Sequence, residues 1–405
     1  MVLLSVTPDE YARQVPRQRG LSDQRSDFVT AAEAAAILGV RTATIYAYAS
    51  RGLLGGTPQG PGKKARYLRS AVETLQVKAA ARSGHAAVAA AALRWGEPVL
   101  DSSITRLSPR GPVYRGQRAI DLAGKETFES VAELLWKRPV DWSSLAPRVA
   151  TTAKRPSIHA LIEVMASVAA RPVFRGEEGV IRRLACAAGD SEALAERQGS
   201  LAGALGASLR GRVLSAEEKD LLDVGLVLIA DHELNASTFA ARIATAAGAR
   251  WPEAFLAALA TATGVRHAAA CDGAERLWNE VRASRHPARW LEQRLTDGPS
   301  LEGFDAGAYP DGDPRGERLI ALTSPRLPAV QRARLDALLA AVRAQSGQFP
   351  SVDFGLVLLA QTLGFPPGSA TLLFVLGRTA GGLAHIEEQA TSGALIRPRA
   401  RYVAE

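Results

Sequence analysis

The sequence predicts an all-α protein with one small β ribbon, preceded by a small module of helices and a hairpin. Three observations carry that expectation. From Trp95 to Tyr402 the chain reads as helix after helix, rich in alanine and leucine, broken by glycine and proline, with few alternating β-branched runs. One strand-like pair interrupts it, where Ile104-Thr105-Arg106-Leu107 and Val113-Tyr114 flank the turn residues Ser108-Pro109-Arg110-Gly111-Pro112. Ahead of it, between Phe28 and Leu75, helix signals are followed at once by a Gly/Pro-rich, lysine-bearing run.

Taken in order, residues 1–27 carry Pro16, Gly20 and scattered charges without apolar periodicity and are expected to be a flexible arm. Thr30 and Glu33 form the S/T-x-x-E signature of a helix start, with Ala34, Ile37 and Leu38 on one face and Gly39 as the stop. A second helix follows Arg41-Thr42, with Ile45 and Ala49 inward and Thr44, Tyr46, Tyr48 and Arg51 outward. Gly52-Leu53-Leu54, the run from Gly55 to Lys64 and Ala65-Arg66-Tyr67-Leu68-Arg69 read as a wing, and a third helix starts at Ser70. This series resembles the winged helix-turn-helix of the MerR and excisionase type, and the module is placed at 28–78. From Phe28 to Leu75 a net charge of +4 favours double-stranded DNA as a partner, with Arg41, Thr44, Tyr46, Arg51, Lys63, Lys64 and Arg66 as candidate contacts. Residues 79–95, with their alanine run, are expected to be a helical connector.

Bulk properties limit the remaining choices. A chain of 405 residues exceeds what one core usually supports, so two or three domains are expected. Apolar residues at 47% and charged ones at 22% are ordinary globular usage, which excludes disordered and fibrous classes. The formal charge of +8 favours polyanionic partners. Cys186 and Cys271 lie far apart without C-x-x-C spacing, which argues against a disulfide framework and a zinc cluster. The first residues are too short for a secretory core, and no apolar stretch approaches the roughly 20 residues of a membrane helix. A cytoplasmic protein is expected.

Several motifs then fall in a fixed order. Tyr114-Arg115-Gly116 leads to Ile120-Asp121-Leu122-Ala123 and Phe128-Glu129-Ser130-Val131-Ala132-Glu133-Leu134-Leu135. Asp231-His232-Glu233-Leu234-Asn235-Ala236-Ser237-Thr238-Phe239 follows, then His267, Asp313-Pro314-Arg315, Val352-Asp353-Phe354, Gly377-Arg378-Thr379 and Leu395-Ile396-Arg397-Pro398-Arg399-Ala400-Arg401-Tyr402. In this order they resemble the citrate synthases, over all but the stretch from Val149 to Leu222, which carries no motif of that family. The resemblance implies large and small helical domains over 96–405, the small one inserted at roughly 265–350, with the site in the cleft between them. It further implies a homodimer, or a heterodimer with a paralogous citrate synthase. The implied reaction is acetyl-CoA plus oxaloacetate plus water giving citrate and CoA, with acyl-CoA as substrate and neither cofactor nor metal.

Such a condensation requires a base for the methyl proton, a donor for the enol oxygen, a polariser for the acceptor ketone and cations for the dicarboxylate. By the resemblance Asp353 is the base, flanked by apolar Val352 and Phe354, which would raise its pKa. His267 is the neutral donor to the thioester oxygen. Arg315, Arg378 and Arg397 hold carboxylates, Arg397 from the neighbouring subunit, and His232 meets the ketone or hydroxyl end.

Three departures stand against this. The family's ketone-polarising histidine precedes Tyr-Pro-Asp-Gly-Asp-Pro-Arg, and here Gly303-Phe304-Asp305-Ala306 puts alanine in its place. Losing one such donor costs about 3 to 4 kcal/mol, on the order of a thousandfold in rate. The glycine-rich segment after the donor histidine becomes Ala268-Ala269-Ala270-Cys271, and Ile229 stands where another histidine is frequent. Two functions are therefore expected to compete: a citrate or 2-methylcitrate synthase of reduced activity, and a DNA-binding regulator that senses citrate or oxaloacetate with the same fold. A non-catalytic subunit paired with an intact paralogue is a variant of the first.

Overall fold

Thr30 and Glu33 make the reciprocal cap their spacing predicts: Glu33 N donates to Thr30 Oγ1 at 3.2 Å and Thr30 N to Glu33 Oε2 at 2.7 Å. The protein is seen here as a computed structural model. It describes residues 28–38, 40–50, 54, 56–57, 66–68, 71–72, 75, 100–171, 176–284, 290, 293–294, 301–305, 308–309 and 311–398. The arm at 1–27, the connector at 79–95 and residues Gly39, Arg51, Lys63, Lys64 and Ala306 lie outside the described residues. The chain divides into two compact units, Met1–Val99 and Leu100–Glu405.

In the first unit, strand β1 (Phe28–Val29) precedes α1 (Ala31–Leu38) and α2 (Thr42–Ser50), followed by β2 (Gly56–Thr57) and β3 (Arg66–Leu68). β2 and β3 pair antiparallel as the wing expectation requires, and β1 adds on the other side of β3, with Val29 opposite Tyr67. A two-residue strand has no periodicity to read, so β1 was not legible in the sequence. Val29, Ala34, Ile45, Leu54, Tyr67 and Val72 form the core, each almost fully buried. Tyr46 is 51% exposed, as expected of an outward position on α2. Tyr48 is a correction: it is half-buried and packs on the core, because the outward face of a nine-residue helix is narrower than the spacing allowed. Thr44 is half-buried as well, while Arg41 and Arg66 are exposed.

The second unit opens with the predicted ribbon. β4 (Thr105–Ser108) and β5 (Gly111–Tyr114) pair from Thr105 opposite Tyr114 to Ser108 opposite Gly111, and β6 (Gln117–Arg118) adds a third strand. The helices follow as α3 (Ala119–Leu122), α4 (Phe128–Trp136), α5 (Ile158–Ala169), α6 (Glu177–Ala187), α7 (Glu192–Ala195), α8 (Leu201–Arg210) and α9 (Ala216–Leu228). Next come α10 (Ala236–Ala246), α11 (Trp251–Ala262), α12 (Ala270–Ala283), β7 (Phe304–Asp305), α13 (Pro314–Thr323), α14 (Ala329–Ser346), β8 (Phe349–Pro350), α15 (Val352–Thr362), α16 (Ser369–Gly377) and α17 (Thr379–Ser392).

One hydrophobic core runs through this unit, from Ile104 to Ile386. Every residue of α16 is buried, the signature of a helix surrounded by others. α10 packs on α11 and α17, α13 on α15, and α15 on α12 and α16. Short caps start these helices where the site lies: Asn235 Oδ1 accepts from Ser237 N and Thr238 N, Asp313 Oδ1 from Arg315 N, and Ser351 Oγ from Asp353 N.

Asp223 on α9 is buried, its Oδ1 accepting from Phe128 N at the start of α4 at 3.1 Å. Burial, joined by Glu129 and Asp220 and opposed by Lys219 and the Phe128 amide, pushes its carboxyl up to about 7. Between the unfolded value near 4 and about 7 the folded state holds the extra proton, so this contribution is lost as pH rises through that window. Asp223→Asn is therefore expected to flatten the fall of Tm between pH 5 and pH 8, read by thermal scans at both values.

Candidate active site

Three segments distant in sequence converge in the second unit. The first is the turn into α10. Asp231 is fully buried and its Oδ2 lies 3.3 Å from His385 Nε2 on α17. The chain can pass this close because position 381 is glycine: a Cβ there would overlap the Asp231 carboxyl, and Gly381 N donates to Ala230 O at 2.9 Å. The next residue, His232, meets Tyr309 Oη through Nε2 at 2.8 Å. Burial first, then the charges of Arg315 and Arg378, hold its imidazole well below the usual histidine range. It is a neutral ring at pH 7.

The second segment runs from Gly303 to Arg315 and is tied to the start of α15. β7 pairs with β8, and Ser351 N donates to Gly303 O at 2.8 Å. Asp313 then links three groups: Arg315 Nε and Nη2 donate to its two oxygens at 2.9 and 2.8 Å, and Val352 N donates to Oδ2 at 3.1 Å. Burial is the largest single influence and opposes the Arg315 charge, but Asp313, Tyr309 and Tyr114 together outweigh it, so Arg315 stays fully charged. Asp353 lies one residue further on, in the first turn of α15. Ser351 is the cap of that helix. Ser351 Oγ donates to Asp353 Oδ2 at 3.0 Å, and Cys271 Sγ approaches Oδ1 at 3.4 Å.

The third segment joins α16 to α17. Arg378 is 7% exposed, donates through Nε to Ile229 O at 2.9 Å, and lies over the Phe374 ring at 4.9 Å. Among the described residues no carboxylate makes an ion pair with it, although Arg315 has Asp313 and Arg242 has Glu388. Burial lowers its pKa, opposed by the charge of Asp231 and joined by that of Arg315. His267 stands edge-on to Phe374 at 5.6 Å, with Nε2 2.7 Å from Ser237 Oγ at the start of α10. Burial and the Arg378 charge bring it down to about 4, so it too is neutral.

This geometry concentrates two buried cations, two neutral imidazoles, a buried phenol and a carboxylate in one place, which suits a small polyanion with a carbonyl group. Among the described residues no group of three or more His, Cys, Asp or Glu is arranged to hold a metal ion.

The family model for the citrate synthase C-terminal domain matches residues 143–399. The chain belongs to the citrate synthase family. A helix-turn-helix domain model matches residues 28–76, so the first unit contains a helix-turn-helix domain. Citrate synthase 2 of Bacillus subtilis is 31% identical over 202 residues, covering 48% of this chain and 54% of that protein. The 2-methylcitrate synthase of Shewanella oneidensis is 31% identical over 200 residues, covering 48% of this chain and 53% of its own length. The chain thus spans about half the length of the curated relatives it matches. Among solved structures, the citrate synthase of Thermoplasma acidophilum, in a ternary complex with carboxymethyl coenzyme A and oxaloacetate, aligns with a TM-score of 0.67 and 22% identity. That alignment covers 76% of this chain and 94% of that one, which establishes the fold. The stretch from Val149 to Leu222, unplaced by motif, lies within the matched family region.

Of the residues singled out from the citrate synthase motifs, His232, Arg315, His267, Arg378 and Asp353 come together through the contacts above. Arg397 does not join them in this subunit: it is exposed, after the end of α17. Ile229 is fully buried and uses its carbonyl rather than its side chain at the site. Motif reading passed over Asp313, Ser237, Phe374, Cys271 and Tyr309 as partners. Ser237 and Tyr309 lay inside quoted motifs, where their hydroxyls were the available signal.

Proposed function

We propose that this cluster binds oxaloacetate and citrate and condenses oxaloacetate with an acyl-CoA, at a rate reduced by alanine at position 306. What carries this reading is Arg378, a guanidinium 7% exposed with no carboxylate partner among the described residues. A buried, unpaired cation is costly, and a ligand carboxylate offsets that cost. Arg315, neutralised by Asp313, supplies the second fork, and His232 with Tyr309 faces the carbonyl end. Arg397 is assigned to the site of a second subunit, the same chain or a paralogue, since it is exposed in its own.

On the acyl side, Asp353 removes the methyl proton and His267 donates to the thioester oxygen. The single Ser237 hydroxyl proton decides the histidine tautomer. Given to His267 Nε2, it leaves Nδ1–H as the free donor; given to Asn235 Oδ1, 2.7 Å away, it does not. Neither acetyl-CoA nor propionyl-CoA is favoured by these residues. Calorimetry tests the reading: saturable heat with oxaloacetate and with citrate is expected, and its absence with both overturns it. A thiol-reagent assay for CoA release on the same sample then separates a slow enzyme from a sensor.

A second reading concerns the helix-turn-helix domain alone. We propose that it binds double-stranded DNA through α2 and the wing, since Tyr46 stands 51% exposed and Arg41 and Arg66 are exposed as well. Arg51, Lys63 and Lys64 complete the basic set in sequence. Gel retardation that weakens between about 50 and 200 mM salt is expected, and no retardation of any DNA, including the region upstream of its own gene, overturns it.

A further inference from the structure

The acceptor ketone in this reading lacks its family donor, because the motif places Ala306 at the histidine position. Three residues on, Tyr309 is 5% exposed, its hydroxyl 2.8 Å from His232 Nε2 and its ring 5.3 Å from the Arg315 guanidinium carbon. Gly312 N donates to Tyr309 O at 3.0 Å, which anchors its backbone. The side chain is thus held at both ends.

Burial pushes the phenol up to about 12, with Arg315 and Arg378 both pulling the other way. At neutral pH it keeps its proton. The two arginines that act on it are those expected to hold carboxylates, so a dicarboxylate gripped by them brings its remaining oxygen toward the same place. His232 is neutral, so one tautomer carries hydrogen on Nε2 and donates to the phenol oxygen. The phenol then has its own hydrogen to give onward, and a donor fed by a second donor is strengthened by it.

We propose that Tyr309 donates a hydrogen bond to the keto oxygen of the bound 2-oxo dicarboxylate, supplying from the following turn the polarisation that position 306 cannot. This rests on the reading of the cluster as an oxaloacetate site. Tyr309 then contributes to recognition of the keto group as well as to charge stabilisation, and recognition can be measured without turnover.

The test compares oxaloacetate with succinate, which has the same two carboxylates and no keto oxygen. Calorimetry on the full chain and on Tyr309→Phe, which keeps the ring against Arg315, gives the affinity ratio, with Tm as the check on folding. The wild type is expected to prefer oxaloacetate by about tenfold or more. In Tyr309→Phe the preference falls to near one while succinate affinity stays within about twofold. An unchanged preference overturns the proposal and leaves the oxaloacetate site standing. Equal loss of both ligands at native Tm also overturns it, showing that Tyr309 only supports the carboxylate grip. If the wild type binds neither ligand, the reading of the cluster falls and the proposal with it.

Discussion

Arg378→Met is expected to weaken oxaloacetate and citrate binding by about a hundredfold or more, corresponding to ~3 kcal/mol for truncating one member of a buried ion pair. The same substitution should leave the Tm of the unliganded protein unchanged or higher. The opposed signs follow from one fact. Arg378 is buried against Phe374 with a hydrogen bond to Ile229 O, and burial lowers its pKa more than the charge of Asp231, which forms no ion pair with it among the described residues, restores. A methionine fills much of that space without a charge to desolvate, so the free protein loses an unfavourable term. Only the complex loses a favourable one. Calorimetry and thermal scans on the same two samples check both halves; a lower Tm together with unchanged affinity would make Arg378 a structural residue.

Asp353→Asn is expected to reduce CoA release from acetyl-CoA and oxaloacetate by about a hundredfold to ten-thousandfold, the range for losing a general base. Oxaloacetate affinity should change little, since the carboxylate grip is assigned to Arg315 and Arg378 and not to Asp353. Asparagine retains an oxygen for the Ser351 hydroxyl, so the start of α15 is preserved. The readout is a thiol-reagent assay against the wild type. Equal rates would mean that any CoA released by the wild type does not depend on Asp353, and the catalytic half of the proposed function would fall.

Much of the architecture was legible because local rules acted alone. The Thr30–Glu33 cap, the pairing of Thr105–Ser108 with Gly111–Tyr114 and the helix starts at Asn235, Asp313 and Ser351 each depend on residues within a few positions. The two-residue strands β1 and β6 were not legible, since two residues have no period and only a partner strand makes them extended. Tyr48 was misplaced for a related reason: helical spacing gives an angle around the axis, but the width of the buried face is set by what packs on it.

The same boundary runs through the site. The order of motifs from Tyr114 to Arg397 was enough to select the residues proposed to bind a dicarboxylate, and the alanine at position 306 was readable from its neighbours alone as a departure from the family's histidine. The sequence by itself thus determined the family and the candidate residues. Only the tertiary structure decided how they are paired. It gave Asp313 to Arg315 and left Arg378 without a carboxylate, set Tyr309 against His232 and Ser237 against His267, and placed the Cys271 thiol beside Asp353. Those choices set charge state and hydrogen-bond direction, and apart from Asp313 and Arg315, two residues apart, they depend on burial and on neighbours 30 to 82 residues away in the chain. No spacing rule carries that information, because the distances that matter are spatial.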